Sequence, residues 1–355
     1  MRKSSAYALL HRMLDDVKTA PALYRPTHFW EQGLVRLAAD IEATGIENFR
    51  RADACLSYFV PTYGFPGFGV CPDAYEGTFA ALAAAGHGDA KTRMRLQRAL
   101  SGEEQAHADY RVHLASSGGG QPHIDRVSES RAGNPIEHFE FDGRRFSRSL
   151  LNYLLGLGFL KQSLPGAHIG VVMEIGGGFG SLGEALLADP ENDLLYIDVD
   201  IPPTAFAATW YLQQVLGSEN VGTYEDLQDL EEIEIADLRR RYKAVVLCPW
   251  QLERLRGKID LFVNFISFQE MEPPVVENYC RHVARLGADA ALLRNLREGK
   301  QKRTATNDVG VVEPIPGDRY DRFFPDYRIA AVNTEPYGYK TVDGFHSELR
   351  LYTRR

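Results

Sequence analysis

Apolar residues in the first third of the chain recur at intervals of three and four, which is the spacing of an amphipathic helix. The clearest cases are residues 34–43 (LVRLAADIEA), 78–88 (TFAALAAAGHG) and 92–115 (TRMRLQRALSGEEQAHADYRVHLA), with glycines as stops. Residues 57–72 instead alternate aromatic residues with Gly and Pro, which disfavour helix and strand alike. This pattern predicts a mainly helical N-terminal domain over residues 1–120, with an ordered aromatic loop inside it.

After residue 150 the pattern changes to short β-type runs separated by helical or loop segments. The runs are GVVMEI (170–175), DLLYIDV (193–199), KAVVLC (243–248), DLFVNFI (260–266) and AALLRNL (290–296). This alternation predicts an α/β fold with a parallel, doubly wound sheet over residues 151–355, joined to the helical domain by a connector over 121–150. The last two runs, 327–333 and 347–353, are joined without a helix, which predicts a terminal antiparallel hairpin.

Composition narrows the class of protein. The 355 residues are 44% hydrophobic and 25% charged, as in ordinary globular enzymes, and this excludes fibrous and disordered chains. The net charge of −8 and the single short basic run at 294–303 disfavour nucleic acid as a partner. The longest uncharged stretch, residues 54–72, contains three prolines, so no membrane insertion is expected.

Metal sites and disulfides are not indicated either. The four cysteines are far apart in the sequence, the chain contains no CxxC pair, and no HxxxH, HxH or DxD constellation argues strongly for a metal. We therefore expect a protein of the reducing cytoplasm. The sequence leaves its oligomeric state open.

The strongest motif is GVVMEIGGGFGSLGEALL at residues 170–187, a β-type run followed by a glycine-rich turn and a helical pattern. Such a turn brings the backbone close to a ligand. In one register Gly178, Gly180 and Gly183 form GxGxxG, with Asp198 twenty residues beyond Gly178, as in dinucleotide-binding proteins. This register predicts an NAD-dependent oxidoreductase.

In the other register Glu174, Gly176, Gly178 and Gly180 form ExGxGxG, the pattern of class I S-adenosylmethionine (SAM) methyltransferases. Consecutive glycines weaken a strand, so the strand is expected to end near Glu174. A carboxylate at that edge suits the ammonium group of SAM and repels a pyrophosphate. Charge therefore favours the SAM register, whereas Asp198, at the end of the next run, suits a ribose in both registers.

Four segments carry a resemblance to a known family. They are SESRAGNPIEHFEFDGRRFSRSLLNYLLGLGFL, MEIGGGFGSLGEALL, YIDVDIPPTAFAATWYLQQVLG and LFVNFISFQEME, and they fall within residues 125–300. The chain resembles the bacterial sugar O-methyltransferases of polysaccharide assembly, which have a Rossmann-like class I SAM-methyltransferase sheet. The resemblance implies methyl transfer from SAM to a hydroxyl of a saccharide or glycan acceptor. Asp200 departs from it, because many related proteins carry an apolar residue or proline there.

The resemblance also implies roles for individual residues. The methionine end of SAM would be held by Glu174, Gly176, Gly177, Gly178 and Gly180, the ribose by Asp198 and the adenine by Trp250, with Asn264 as a further cofactor contact. For Trp250 an ordinary core or surface position is an equal alternative.

A sugar hydroxyl needs help to lose its proton, so a base or a divalent metal is expected near the carboxyl ends of the strands. Glu270, after the fourth run, is the first candidate, although it could instead cap the following helix. His346, in the predicted hairpin loop, is the second candidate together with Asp343. Ser267 and Gln269 are candidates for acceptor contact.

Polar residues before the α/β domain are further candidates for acceptor binding. Arg131, Asn134 and Glu137 lie in the turn SESRAGNPIE, where structural capping is the equal alternative. The aromatic residues at 57–72 could pack against a sugar or form interdomain core. A SAM-binding partner subunit without activity stays open beside the two enzyme readings.

Overall fold

The helical N-terminal region is confirmed in a computed structural model of the chain, which describes residues 7–59, 72–304, 310–341 and 343–355. Its helices are α1 (Ala8–Thr19), α2 (His28–Thr44), α3 (Asp53–Phe59), α4 (Pro72–Ala84), α5 (Ala90–Ser101) and α6 (Glu103–Ser116). Helices α5 and α6 are separated at Gly102, whose φ of 78° is left-handed, as expected of a glycine stop. Residues 60–71 of the predicted aromatic loop lie outside the described residues.

The connector contains a hairpin that the sequence analysis did not predict. Strands β1 (Phe139–Phe141) and β2 (Arg144–Phe146) pair antiparallel. The turn between them is Asp142–Gly143, with φ values of 51° and 72°, and Asp-Gly is a preferred pair for such a two-residue turn. Helix α7 (Arg148–Ser163) follows, and the Ser147 hydroxyl caps it by accepting a hydrogen bond from the Leu150 N–H.

The predicted sheet is confirmed. Its main strands are β3 (Val171–Ile175), β4 (Leu195–Val199), β7 (Ala244–Leu247), β9 (Leu261–Phe265), β10 (Ala290–Leu296), β11 (Tyr327–Asn333) and β13 (His346–Arg354). Two shorter strands of the same sheet are β5 (Val221–Gly222) and β12 (Tyr339–Lys340), while β6 (Ile233–Glu234) and β8 (Leu255–Arg256) pair with each other in a separate sheet. In the described part of the chain the order is β11-β13-β10-β9-β3-β4-β7-β5, with β12 beside β13. Neighbours from β10 to β5 are parallel, whereas β13 runs antiparallel to β10 and β11, as the terminal hairpin requires.

Helices cover both faces of this sheet. The later helices are α8 (Ser181–Leu187), α9 (Pro202–Leu216), α10 (Tyr224–Leu227), α11 (Ile235–Arg241), α12 (Pro273–Arg285) and α13 (Tyr320–Phe323). Alternate residues of each strand enter opposite cores: Val172 packs in one core with Leu10 of α1, and Met173 packs in the other with Val276 of α12. The helical region therefore shares a core with one sheet face, and the division at residue 120 stays a prediction. No helix among the described residues combines the length and the apolar character needed to cross a membrane.

Candidate active site

A cavity of about 670 Å³ lies at the carboxyl ends of the central strands. From β3 the chain continues to β4 on one side, while β9 and β10 lie on the other, so the strand order reverses beside β3. Open α/β sheets bind ligands at this position. The sheet contributes Gly176, Gly177, Gly178, Phe179, Asp200, Phe265, Ile266, Ser267, Asn295 and Leu296 to the lining.

Two segments remote from these strand ends complete the cavity. The N-terminal region contributes Arg25, Pro26, Thr27, Phe29, Trp30, Ser57 and Tyr58. The C-terminal hairpin contributes Tyr339, Thr341, Asp343, Phe345 and Ser347. The cavity therefore has two walls. The glycine-loop wall is built by residues 176–181 and Asp200, and the second wall, called the acceptor-side wall after the predicted acceptor contacts, is built by the N-terminal region, the C-terminal hairpin, Glu270 and Lys300.

The glycine loop lies closely against neighbouring strands. Gly176 and Gly178 have left-handed φ values of 75° and 65°, which side chains larger than glycine adopt at a cost. A Cβ atom at Gly176 would lie 2.1 Å from Ser267 Oγ, and one at Gly177 would lie 2.5 Å from Asp198 Oδ1. Space as well as conformation therefore requires glycine in this loop.

The N-terminal region also contacts the loop through Phe179. The Phe49 ring meets the Phe179 ring edge-on at 5.6 Å between centroids. The Arg50 guanidinium lies 4.9 Å from the same centroid, a cation–π distance. The segment from Ile46 to Arg51 thus supports the loop from behind.

Glu174 lies beneath the loop and does not line the cavity. Its carboxyl is fully buried, and Oε2 accepts a hydrogen bond of 2.6 Å from the Tyr196 hydroxyl. In the part of the chain that the structure describes, Oε1 has no hydrogen-bond partner. Burial raises the pKa of Glu174 to about 8. The proposed contact between Glu174 and an ammonium group therefore stays a prediction.

Asp198 and Asp200, at the end of β4, differ in their surroundings. Asp198 is fully buried, and among the described residues neither of its carboxyl oxygens has a hydrogen-bond partner. Burial, together with the nearby carboxyls of Asp200 and Glu174, raises the pKa of Asp198 well above its usual range. Asp200, rather than Asp198, lines the cavity.

Asp200 is held by the glycine loop and by the start of α9. Its Oδ2 accepts a hydrogen bond of 2.8 Å from the Gly178 N–H. Its Oδ1 accepts bonds of 2.7 Å from the Ile201 N–H and from the Thr204 hydroxyl. Burial raises the pKa of Asp200 to about 6, against the effect of these three hydrogen bonds.

Asn264 and Ser267 tie the end of β9 to the end of β3. The Asn264 amide donates to the Ile175 carbonyl at 2.9 Å and to Ser267 Oγ at 2.6 Å, and the Ser267 hydroxyl donates to the same carbonyl at 3.0 Å. The Asn295 amide donates to Asn264 Oδ1 at 3.1 Å. Ser267 lines the cavity, whereas the buried Asn264 does not.

Ile266, between these two residues, has a φ of 74°, which is rare for a β-branched residue and indicates backbone strain. Its N–H donates to the Arg294 carbonyl at 2.7 Å. Gln269 follows in the cavity wall, and its Oε1 accepts a bond of 2.7 Å from the Leu296 N–H. The strained turn is therefore fastened on both sides by β10.

Glu270 lies in the acceptor-side wall with its carboxyl largely buried. Oε1 accepts a charge-assisted hydrogen bond of 2.6 Å from Lys300 Nζ. The ammonium of Lys300 lies 4.0 Å from the centroid of the Phe29 ring, and the Thr27 hydroxyl donates to the Glu270 carbonyl at 2.9 Å. Within the described ranges Glu270 Oε2 has no hydrogen-bond partner and is free to take a proton.

His346 is the first residue of β13 and does not lie in the hairpin loop, so the predicted loop position was wrong. The strand begins there because His346 pairs with Lys340 of β12. Phe345 and Ser347 line the cavity, whereas the side chain of His346, between them, points the other way because successive side chains alternate along a strand. Its Nδ1 lies 2.8 Å from Glu298 Oε1. Its partner in the prediction, Asp343, does line the cavity.

Trp250 lies in the 3₁₀ turn Pro249–Arg254, outside the lining of the cavity. Its indole N–H donates to the Tyr224 hydroxyl at 3.3 Å. A contact between Trp250 and adenine stays a prediction, while the observed packing is that of a partly buried aromatic.

Arg131, Asn134 and Glu137 also lie outside the cavity lining. Arg131 and Asn134 are exposed, and the Asn134 amide donates to the side chain of Asn48 at 2.8 Å. Glu137 is buried, forms a 2.7 Å ion pair with Arg148 and accepts the backbone N–H of Arg148 at 2.8 Å. Glu137 thus fastens the start of α7, which is the capping alternative.

Sequence reasoning missed several residues of the cavity. Tyr153 of α7 stacks on Phe265 at 5.2 Å between centroids with an interplanar angle of 8°. Lys300 follows a strand end within the basic run, a position from which its place in the wall could have been predicted. Nothing in the local sequence of Phe29, Trp30 or Tyr58 indicates that they would meet the sheet.

Comparisons with known proteins yield similarities of structure. No family model matches the chain, and no curated protein sequence matches it. The magnesium protoporphyrin IX methyltransferase ChlM from Synechocystis PCC 6803 with bound SAH is 12% identical, with a TM-score of 0.41, over 72% of this chain and 96% of that one. The mitomycin 7-O-methyltransferase MmcR is 14% identical, with a TM-score of 0.35, over 94% and 75%.

A SAM-dependent methyltransferase from Leishmania major is similar to the same degree. It is 12% identical, with a TM-score of 0.39, over 58% of this chain and 74% of that one. All three neighbours are methyltransferases by name. The fold class of the present chain rests on its own strand order.

Proposed function

We propose that this protein is a SAM-dependent O-methyltransferase that acts on a hydroxyl of a bacterial sugar or glycan. The observation that carries the proposal is the carboxyl of Asp200, which accepts the Gly178 N–H and lines the cavity at the glycine-loop wall. Carboxyl groups suit a cofactor that bears positive charge. SAM carries a sulfonium and an ammonium.

The same loop disfavours the rival dinucleotide. A pyrophosphate is bound by free backbone N–H groups of a glycine loop and by the start of the following helix. Here the N–H of Gly176 donates to the Val199 carbonyl at 2.8 Å, and that of Gly180 donates to the Gly177 carbonyl at 3.2 Å. The N–H of Gly178 is taken by a carboxylate, which would repel a phosphate.

Buried polar atoms without partners indicate what a cofactor would satisfy. Both oxygens of Asp198 and the hydroxyl of Ser181 are buried without hydrogen-bond partners, and Ser181 lines the cavity. Ribose hydroxyls are donors that a carboxylate can accept, so Asp198 is the residue we assign to the ribose, with Ser181 and the glycine loop around it. SAM, when bound, supplies an electrophilic methyl group.

Glu270 is the residue that we assign to proton removal. Lys300 holds its Oε1, so Oε2 is left to accept the proton of an acceptor hydroxyl while the new bond to the methyl carbon forms. Ser267, Gln269 and Asp343, which line the cavity, are proposed to orient the acceptor. The aromatic rings of the acceptor-side wall suit the C–H face of a sugar, and the choice of a sugar rests on the family resemblance.

The test begins with calorimetric titration of the protein with S-adenosylhomocysteine (SAH), with NAD as the control ligand. We expect micromolar binding of SAH and none of NAD, and loss of SAH binding in Asp198→Ala. Binding of NAD alone would refute the proposal at its first step.

The acceptor is then sought with methyl-labelled SAM and a panel of nucleotide sugars and lipopolysaccharide fragments. Transfer of label to a glycan, lost in Glu270→Gln, supports the whole proposal. Tight SAH binding without transfer to any glycan would favour the partner-subunit reading.

A further inference from the structure

Three carboxyl groups lie close together at the glycine-loop wall. Glu174 and Asp198 are register partners on adjacent strands, and Asp200 follows two residues later. The charged neighbours that raise their pKa values are acids. Asp200 raises the pKa values of Glu174 and Asp198, and Glu270 raises that of Asp200. The cavity-lining Lys300 is already paired with Glu270.

Asp200 is the member of this group that faces the cavity. Three hydrogen bonds, from Gly178, Ile201 and Thr204, fix its carboxyl and stabilise its charged form. It is also the position at which this chain departs from the family it resembles. The electrostatic energy between a fixed carboxylate in a cavity wall and a bound ligand depends on the charge of that ligand.

We propose that Asp200 makes the site selective for the charge of the cofactor, so that the protein binds SAM more tightly than SAH. This inference rests on the proposed function, because it assigns SAM to the same cavity. The unpartnered, buried hydroxyl of Ser181 in the cavity wall is a second, independent indication that a polar ligand enters there.

A comparison of SAM with SAH isolates the contribution of the positive charge to binding. SAM and SAH share the amino acid, the ribose and the adenine, and they differ by one methyl group and one positive charge. Contacts of Glu174 or Asp198 with the shared groups therefore cancel in the ratio of the two dissociation constants. A site that prefers the cation also releases the neutral product more readily after methyl transfer.

The groups around Asp200 determine how this ratio depends on pH. They are Glu174 of β3, Asp198 of β4, Glu270 after β9, Tyr153 of α7, Cys248 after β7 and Tyr279 of α12. Burial raises the pKa values of the two tyrosines and the cysteine, so they stay neutral below pH 8. The pKa of Asp200, about 6, lies between pH 5.5 and 7.5, whereas that of Glu174, about 8, lies above this range.

The pH dependence follows from the pKa of Asp200, which burial raises to about 6. At pH 7.5 the carboxyl is ionised and attracts the sulfonium. At pH 5.5 it is mostly protonated, and the preference for SAM shrinks. Since the cation favours the ionised form, SAM binding near pH 6 releases protons that SAH binding does not.

The test is isothermal titration calorimetry with SAM and with SAH on the full chain. At pH 7.5 we expect the dissociation constant of SAM to be about tenfold lower than that of SAH, with near equality at pH 5.5. Asp200→Asn keeps a side-chain oxygen to accept the Gly178 N–H. In this variant the affinity for SAM should fall about tenfold, and the affinity for SAH should fall less than twofold. Titrations near pH 6 in phosphate and in bis-Tris, two buffers that differ in their heat of ionisation, count the released protons.

Glu184→Gln is the matched control. Glu184 is another buried carboxyl whose pKa is raised by burial, to about 7, but it accepts bonds from Ser130 and Tyr211 and does not line the cavity. This variant should leave the SAM-to-SAH ratio unchanged.

Three results would overturn the inference. Equal affinities for SAM and SAH at pH 7.5 contradict it while leaving the proposed function intact, and so does an equal loss of both ligands in Asp200→Asn. Failure of both ligands to bind removes the proposed function and the inference together. Should Asp200→Asn not fold, the pH series and proton count on the unaltered protein decide the question.

Discussion

The two walls of the cavity are built by different means. The glycine-loop wall comes from the ends of neighbouring strands and is fastened by hydrogen bonds between backbone groups and carboxyls, such as that from Gly178 to Asp200. The acceptor-side wall brings Phe29, Glu270, Lys300 and Phe345 together from remote parts of the chain. The first wall depends on local backbone geometry, and the second depends on tertiary packing. Variants should therefore affect the two walls separately.

The largest effect is expected from Gly176→Ala, which breaks the glycine-loop wall. The added Cβ would lie 2.1 Å from Ser267 Oγ and 2.4 Å from Ser267 Cβ, at a left-handed φ. SAH affinity should fall at least a thousandfold, measured by calorimetry on protein whose circular dichroism is unchanged.

Gly143→Ala is the control for the left-handed φ alone, without the close contact with Ser267. Gly143 has a similar φ of 72°, but no atom lies within 4 Å of its added Cβ. Its SAH affinity should stay within twofold of the original. A comparable loss in this control would show that conformation alone, and not the contact with Ser267, explains the first result.

Glu137→Ala weakens α7, which supplies Ser149, Asn152 and Tyr153 to the cavity. It leaves the buried guanidinium of Arg148 without its ion-pair partner. Breaking a buried pair in this way costs about 3 kcal/mol in the free energy of unfolding, measured in urea. Asp15→Ala, which removes the partner of Lys18 in an exposed pair at 2.7 Å, should leave the urea midpoint unchanged. A loss of glycan binding in Glu137→Ala without loss of stability would instead support the predicted acceptor role.

Glu270→Gln breaks the acceptor-side wall alone. Turnover should fall about a hundredfold, the typical contribution of a general base, while SAH affinity stays within twofold. His346→Gln is the comparison, because His346 is the rival base and its ring contacts Glu298 and not the cavity. Turnover near the original level is expected in that variant, and a hundredfold loss there would transfer the base role to His346.

The smallest expected effect is a change in the free energy of unfolding with pH, caused by the buried carboxyl groups. Burial raises the pKa of Glu174 to about 8 and that of Glu184 to about 7, from 4.5 in each case. Between pH 6.5 and 8 the folded protein keeps protons that the unfolded chain has lost, so stability falls as pH rises. We expect the free energy of unfolding to drop by about 1 to 2 kcal/mol, measured in urea.

Buried histidines do not obscure this window. Burial lowers the pKa values of His113 and His282 to about 4, so their contribution changes only below pH 6.5. Saturating SAM should flatten the slope, because a cation stabilises the ionised carboxyls. A stability that rises from pH 6.5 to 8 would contradict the assignment.

Much of the first wall could be predicted from the sequence. The run GVVMEI, the following glycines and Asp198 are separated by short, fixed intervals, so their strand ends and their loop follow from local patterns. The parallel sheet follows likewise from the alternation of runs, and the terminal hairpin follows from the last two runs, which are joined without a helix. The hairpin β1–β2 was missed although Asp142–Gly143 is a strong turn signal, because its strands have only three residues each.

The second wall could not be predicted in the same way. Phe29 meets Lys300 because α2 and the end of β10 pack together, and no local pattern encodes that distance of more than two hundred residues. His346 and Trp250 were placed by motif position, but strand pairing and packing against Tyr224 orient them elsewhere. Asp200, and not Asp198, accepts the Gly178 N–H and lines the cavity. The positions that decide this differ by only a few ångströms, which sequence patterns do not determine.

The contact of Phe49 and Arg50 with Phe179 has a consequence for biosynthesis. At ordinary rates of translation, these two residues leave the ribosome roughly ten seconds before the loop that they support. The helical region is therefore made well before the loop that it contacts. The glycine loop consequently acquires this support only after half of the chain has been made.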